Sequence, residues 1–137
     1  MLVEMELHKI IIDEKRQEQV IVLKEKQGER VLPIVIGVSE ISAIKLKVSG
    51  IVPPRPMTHD LLVNVVSSLG AQLQKVLIDK FIDGTFYAKL IYVSALGQEV
   101  PIDARPSDSI ALAVRVKAPV FVDEDVIKRA VHLTPEA

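Results

Sequence analysis

Ile110-Ala111-Leu112-Ala113-Val114 is apolar on nearly every side of a helix, and a helix with no polar face has to be deeply buried. The spacing predicts this helix over about 108–117. The rest of the pattern is mainly strands. Val3, Met5 and Leu7 alternate with Glu4, Glu6 and His8 over 2–12, the signature of a half-buried strand. Strands over 19–25 and 30–36 flank a polar loop with Gly28, and Pro33 marks the second of them as an edge strand or a bulge. A three-stranded meander is predicted near 72–82, 85–94 and 99–103. Its first turn, Asp83-Gly84, is a strong hairpin signal, and Phe86, Ala88, Leu90 and Tyr92 share one face of its middle strand. A short strand covers 119–122.

Three further helices complete the pattern. One covers 40–49 with Ser39 as N-cap and a stripe of Ile41, Ile44 and Val48. Pro53-Pro54-Arg55-Pro56 enforces an extended connector. The second helix begins at Thr58, carries apolar positions 61, 62, 65, 66 and 69, and ends at Gly70. The last is capped by Asp123 and carries Val126, Ile127, Ala130 and Val131. We read no internal repeat, low-complexity tract or domain boundary. The expected fold is therefore a single α+β domain, residues 1–137, with a mostly antiparallel sheet and about four helices; the 137-residue length suits one core.

Composition narrows the chemistry. There is no cysteine, which excludes disulfides, thiolate catalysis and Cys-based zinc sites and suits the cytoplasm. No apolar run is long enough for a membrane span, and the first residues are acidic where a signal peptide is basic. A net charge of −1 argues against broad electrostatic binding of nucleic acid but leaves room for a local phosphate site. Five aromatics, not interleaved with basic residues, argue against a base-stacking platform. Apolar residues make up 49% of the chain and mean hydropathy is +0.32, so a homo-oligomer, most simply a dimer, is expected to cover apolar surface. Phosphate-loop, zinc-helix and nucleophile-elbow motifs are missing from the sequence.

Two polar segments can carry chemistry. Asp103-Ala104-Arg105-Pro106-Ser107-Asp108-Ser109 lies between a strand and the buried helix. Its helix N-terminus, with Arg105 and Ser107, can hold a phosphate. Asp103 and Asp108 can hold a hard cation such as Mg²⁺ or Mn²⁺ or activate a water. The structural alternative is that Ser107 caps the helix, Asp108 complements its dipole and Arg105 pairs with Asp103. In Thr58-His59-Asp60, His59 is expected to be exposed in the first helical turn, where the dipole keeps it neutral and competent as a base. The alternative is again an ordinary cap. His8 and His132 read as surface residues.

Leu32-Pro33-Ile34-Val35-Ile36-Gly37 with Glu40, then Arg55-Pro56-Met57-Thr58-His59-Asp60-Leu61, then Asp103 to Ala113, resemble in this order the bifunctional nuclease (DNase/RNase) domain family, over roughly residues 3–130. The resemblance implies an α+β domain, usually oligomeric, with nuclease activity on DNA and RNA in plant members; many bacterial members have no known function. It supplies no catalytic set. The expected activity is metal-assisted hydrolysis of DNA or RNA phosphodiesters. In this reading Asp103 and Asp108 ligate the cation with Glu40 or Asp60 as further ligands, His59 is the base or acid, and Arg55 and Arg105 steady the phosphate. The rival reading is a non-catalytic oligomeric binding or assembly module. The two segments are expected to face one shared cleft.

Overall fold

A computed structural model describes residues 1–13, 15 and 18–131. Three strands open the chain, β1 (Leu2–Asp13), β2 (Glu18–Glu25) and β3 (Val31–Ile36), and lead into α1 (Val38–Val48). After α2 (Thr58–Ser68) come β4 (Gln72–Ile82), β5 (Thr85–Val93) and β6 (Glu99–Ala104), then α3 (Pro106–Val116), β7 (Val120–Asp123) and α4 (Glu124–Val131). The expected α+β class, the mostly antiparallel sheet and the four helices are all present. The seven strands form one sheet in the order β3-β2-β1-β7-β4-β5-β6. Neighbours are antiparallel except β4 and β7, which run parallel. The short β7 thus joins two antiparallel meanders by entering between their first strands.

Alternation decides which side of the sheet is covered. Met5, Ile21, Leu23, Ile34, Ile78 and Leu90 belong to one buried cluster with Ile44 of α1, Ile110 of α3 and Ile127 of α4. Helix α3 is the centre of this layer, with seven buried residues from Pro106 to Ala113. Helix α2 differs: none of its residues is fully buried, and only Val63 and Val66 pack against the core. Asp123 caps α4 as expected, its Oδ1 accepting the Asp125 N–H at 2.9 Å.

The helix starts depart from the sequence reading. The N-caps of α1, α2 and α3 are Gly37, Met57 and Arg105, all in extended conformation and none with a side-chain oxygen in the cap. Ser39 and Ser107 are the second helical residues of α1 and α3, two past the N-cap, and Thr58 is the first helical residue of α2. What replaces the serine or threonine cap is an acid at the third helical position, Glu40, Asp60 and Asp108, each in the first turn, where the helix dipole favours negative charge.

An internal repeat, not read from the sequence, emerges from the topology. Each meander ends in an edge strand with proline third, Pro33 in β3 and Pro101 in β6, and passes after one residue into an eleven-residue helix. The two segments align without a gap: Leu32-Pro33-Ile34 with Val100-Pro101-Ile102, Ser39-Glu40 with Ser107-Asp108, Ala43-Ile44 with Ala111-Leu112, Lys47-Val48 with Arg115-Val116. Gly37 and Arg105 occupy the same place in the two halves. Few identical residues remain, which hides the repeat until strands and helices are in register.

The Asp83-Gly84 turn has positive φ at both residues, 51° and 78°, as a two-residue hairpin of the mirror-image type requires. A Cβ on Gly84 would meet no atom within 4 Å, so its substitution isolates backbone strain. Gly84→Ala is expected to lose about 1–2 kcal/mol, measured by urea unfolding, with an unchanged dependence on denaturant.

Candidate active site

Three helix starts meet at one polar cluster. The His59 ring, in the first turn of α2, places Nε2 at 2.9 Å from Oδ1 of Asp108 in the first turn of α3. The other carboxylate oxygen of Asp108 accepts the Nε–H of Arg105 at 2.9 Å. Arg105 reaches across to α1, where its Nη1 donates to Glu40 Oε1 at 2.9 Å. Gly37 makes room for this arrangement, because a Cβ there would collide with the Glu40 carboxylate. The two segments expected to share a cleft do so.

The cleft has a volume of about 740 Å³. Glu40, His59, Arg105 and Asp108 lie on it together with apolar residues of β5, β6, α2 and α3, among them Leu90, Tyr92, Ile102, Leu62 and Leu112. The His59 side chain is only 14% exposed, so the expected surface histidine is in fact recessed; its bond to Asp108 draws it inward. Arg105 is 64% exposed at the mouth.

Charge follows from these contacts. Partial burial opposes ionisation of Asp108, but the hydrogen bonds from Arg105 and His59 outweigh it and hold its carboxyl below the usual range. With Asp108 ionised and acceptor-only, a neutral His59 bonds it through Nε2–H, which leaves Nδ1 as the basic nitrogen. Arg105 is raised further above its ordinary value by Asp108 and then Glu40.

The remaining expected site residues have other surroundings. Asp60 accepts the Met57 N–H at 3.0 Å and the Arg115 Nε–H at 2.7 Å. The Met57 amide first, and then Arg115, keep its carboxyl below the usual range. It ties α2 to α3 rather than lining the cleft. Asp103 reaches the cleft rim, but it stands opposite Lys89 in the β5–β6 register. Strand alternation turns it from Leu90 and Tyr92 towards Lys89, whose charge Asp79 and then Asp103 stabilise. Arg105 therefore pairs with Asp108 and Glu40, not with Asp103. Ser107 is buried in the first turn. Arg55 is exposed on the proline connector and does not line the cleft. His8 is exposed, as expected, and His132 lies outside the described residues.

A shared cation needs converging ligands, and no group of three or more His, Asp or Glu among the described residues is placed to hold one. Glu40 and Asp108 face a guanidinium, and Asp103 faces away from them. As the side chains stand, they do not form the Mg²⁺ or Mn²⁺ ligand set expected from Asp103, Asp108 and Glu40.

Sequence reasoning missed two features. Arg115, whose side chain is only 6% exposed, donates to Asp60 and also to Ala111 O at 2.7 Å. A lone arginine at the end of an apolar helix was the available signal, since a buried charge needs a partner. The apolar floor of the cleft had no comparable signal, because its residues read as ordinary core.

The bifunctional nuclease domain model matches residues 21–134. This chain belongs to the bifunctional nuclease domain family. Uncharacterized protein Rv1829 of Mycobacterium tuberculosis is 42% identical over 93% of this chain and 75% of its own length. Bifunctional nuclease 1 of Oryza sativa subsp. indica is 27% identical over 77% of this chain and 33% of its own. Bifunctional nuclease 2 of Arabidopsis thaliana is 29% identical over 76% of this chain and 32% of its own. The domain thus spans about a third of the plant relatives. Among the described residues, no helix is long and apolar enough to cross a membrane.

The depressed Asp60 and Asp108 carboxyls link stability to pH. The unfolded chain binds these protons more tightly, so their contribution is fully present above the unfolded carboxyl value of about 3.9 and is lost as pH falls through the lower folded values. Asp60→Asn removes one such titration. Its stability deficit against the parent protein is expected to shrink between about pH 6 and about pH 2, as read by chemical denaturation across that range.

Proposed function

We propose that this protein is a nuclease that hydrolyses phosphodiester bonds with His59 as the proton-transfer group. The observation that carries the reading is the His59–Asp108 pair, recessed in a cleft whose mouth holds Arg105. Family membership supports nucleic acid as the substrate. His59 Nδ1 accepts a proton from the attacking water as the water oxygen bonds to phosphorus. The resulting imidazolium is stabilised by Asp108 through Nε2–H, as a carboxylate orients and stabilises a catalytic histidine elsewhere. The bond from phosphorus to the leaving sugar oxygen breaks, and the imidazolium returns its proton to that oxygen. Arg105 has Nε on Asp108 and Nη1 on Glu40; Nη2 is left to neutralise charge on the phosphate.

The rival reading, a non-catalytic assembly module, draws on α2. Leu61, Val65 and Leu69 form an exposed outward stripe on a helix with no fully buried residue. Self-association through such a stripe is compatible with catalysis, since α2 also carries His59. Light scattering is expected to give about twice the 15.1 kDa chain mass; a monomer mass at micromolar concentration refutes self-association.

The decisive assay uses labelled single- and double-stranded DNA and RNA, with Mg²⁺, with Mn²⁺ and after chelation, which measures what a cation adds. His59→Gln is expected to lower cleavage by about 10²–10⁴-fold with little change in Tm. Asp108→Asn is expected to lower it strongly as well, while Asp103→Asn, on the Lys89 side of the sheet, retains it. Unchanged cleavage by folded His59→Gln protein removes the mechanism, and absence of cleavage in the parent protein under all these conditions favours the assembly module.

A further inference from the structure

The cleft joins two unlike regions. Its inner part is aliphatic with one aromatic, Tyr92, which is 8% exposed. Leu62 and Ile102 flank it at 43% and 45% exposure, so apolar surface stays open to solvent directly beside the polar cluster. A phosphate alone gains nothing from this floor. A ligand that carries a flat, weakly polar ring next to its phosphate buries the ring there, at an advantage proportional to the apolar area removed from water.

Charge gives a second, independent constraint. Among the described residues lining the cleft, Arg105 is the one permanent cation, set against the carboxylates of Glu40 and Asp108, while Asp103 stands at the rim turned to Lys89. A surface that follows a duplex backbone neutralises many phosphates and needs a matching row of lysines and arginines. This cleft provides for about one phosphate and repels a row of them. His59 is also recessed, whereas duplex phosphates lie on the outside of a stacked, paired rod whose bases are occupied.

We infer that the nucleotide taken by this cleft is unpaired, with its base on the Leu62–Tyr92–Ile102 floor and its phosphate between Arg105 and His59. The inference rests on the nuclease reading for its substrate class but concerns binding, which is measured separately from cleavage.

The test uses the full chain with His59→Gln, so that no probe is consumed, and follows fluorescence anisotropy of a labelled single strand, the matching duplex and a wholly abasic strand across a salt series. The single strand is expected to bind at least about tenfold more tightly than either of the others, because its base removes the apolar floor from water. Its log–log salt slope is expected near −0.7, the value for about one phosphate on a single strand. Ile102→Glu, on an exposed edge strand, is expected to weaken the single strand about tenfold or more with an unchanged Tm; Leu62→Glu repeats the test from the opposite wall. Duplex or abasic binding equal to that of the single strand, a slope steeper than about −3, or no binding of any probe overturns the inference. Equal cleavage of both strand forms by the parent protein overturns it while leaving the nuclease reading intact. Selective single-strand binding by a protein that never cleaves does the reverse.

Discussion

Burial of α3 organises this molecule. Its residues from Ser109 to Ala113 are enclosed, so the sheet, α1 and α2 have to close around it, and polar side chains are admitted only near its two ends. At the first turn stands Asp108, and near the last stands Arg115. Both are used to hold α2, Asp108 through His59 and Arg115 through Asp60. A helix with no fully buried residue of its own is thereby fixed by two charged contacts at one end. The position of His59 follows from the enclosure of a different helix.

The same arrangement explains why acids begin the helices. An acid at the third helical position is favoured by the helix dipole wherever it occurs, and Glu40, Asp60 and Asp108 all satisfy that local rule. What distinguishes them is the second partner of each. Asp60 meets an almost buried arginine and becomes a strut. Glu40 and Asp108 meet an exposed one and become part of a cleft mouth. Local stability and site chemistry draw on one set of residues, divided by what lies opposite.

Much of the fold was legible because its signals are local. The alternation in Phe86, Ala88, Leu90 and Tyr92 and the Asp83-Gly84 turn depend on neighbours along the chain, and β4 begins and ends where its pattern does. Pro33 marked an edge strand, and β3 is one. The site was legible only in outline. His59 and Asp108 stood out as polar residues at the starts of apolar helices, and they meet. Asp103 stood out for the same reason, yet one step of strand alternation sends it to Lys89. Whether two acids five residues apart converge depends on where the strand ends and the helix begins, and serine-based capping logic misjudged that point. Arg115 and the apolar floor are defined by long-range contacts, which no spacing along the chain records.

Proline occupies the same place in both outermost strands, Pro33 in β3 and Pro101 in β6. A strand from another chain that approached either border would find a missing N–H donor and a ring in its path, and such prolines are a known defence against edge-to-edge growth. Neither border is therefore a good template for fibre-like stacking, even in so apolar a chain.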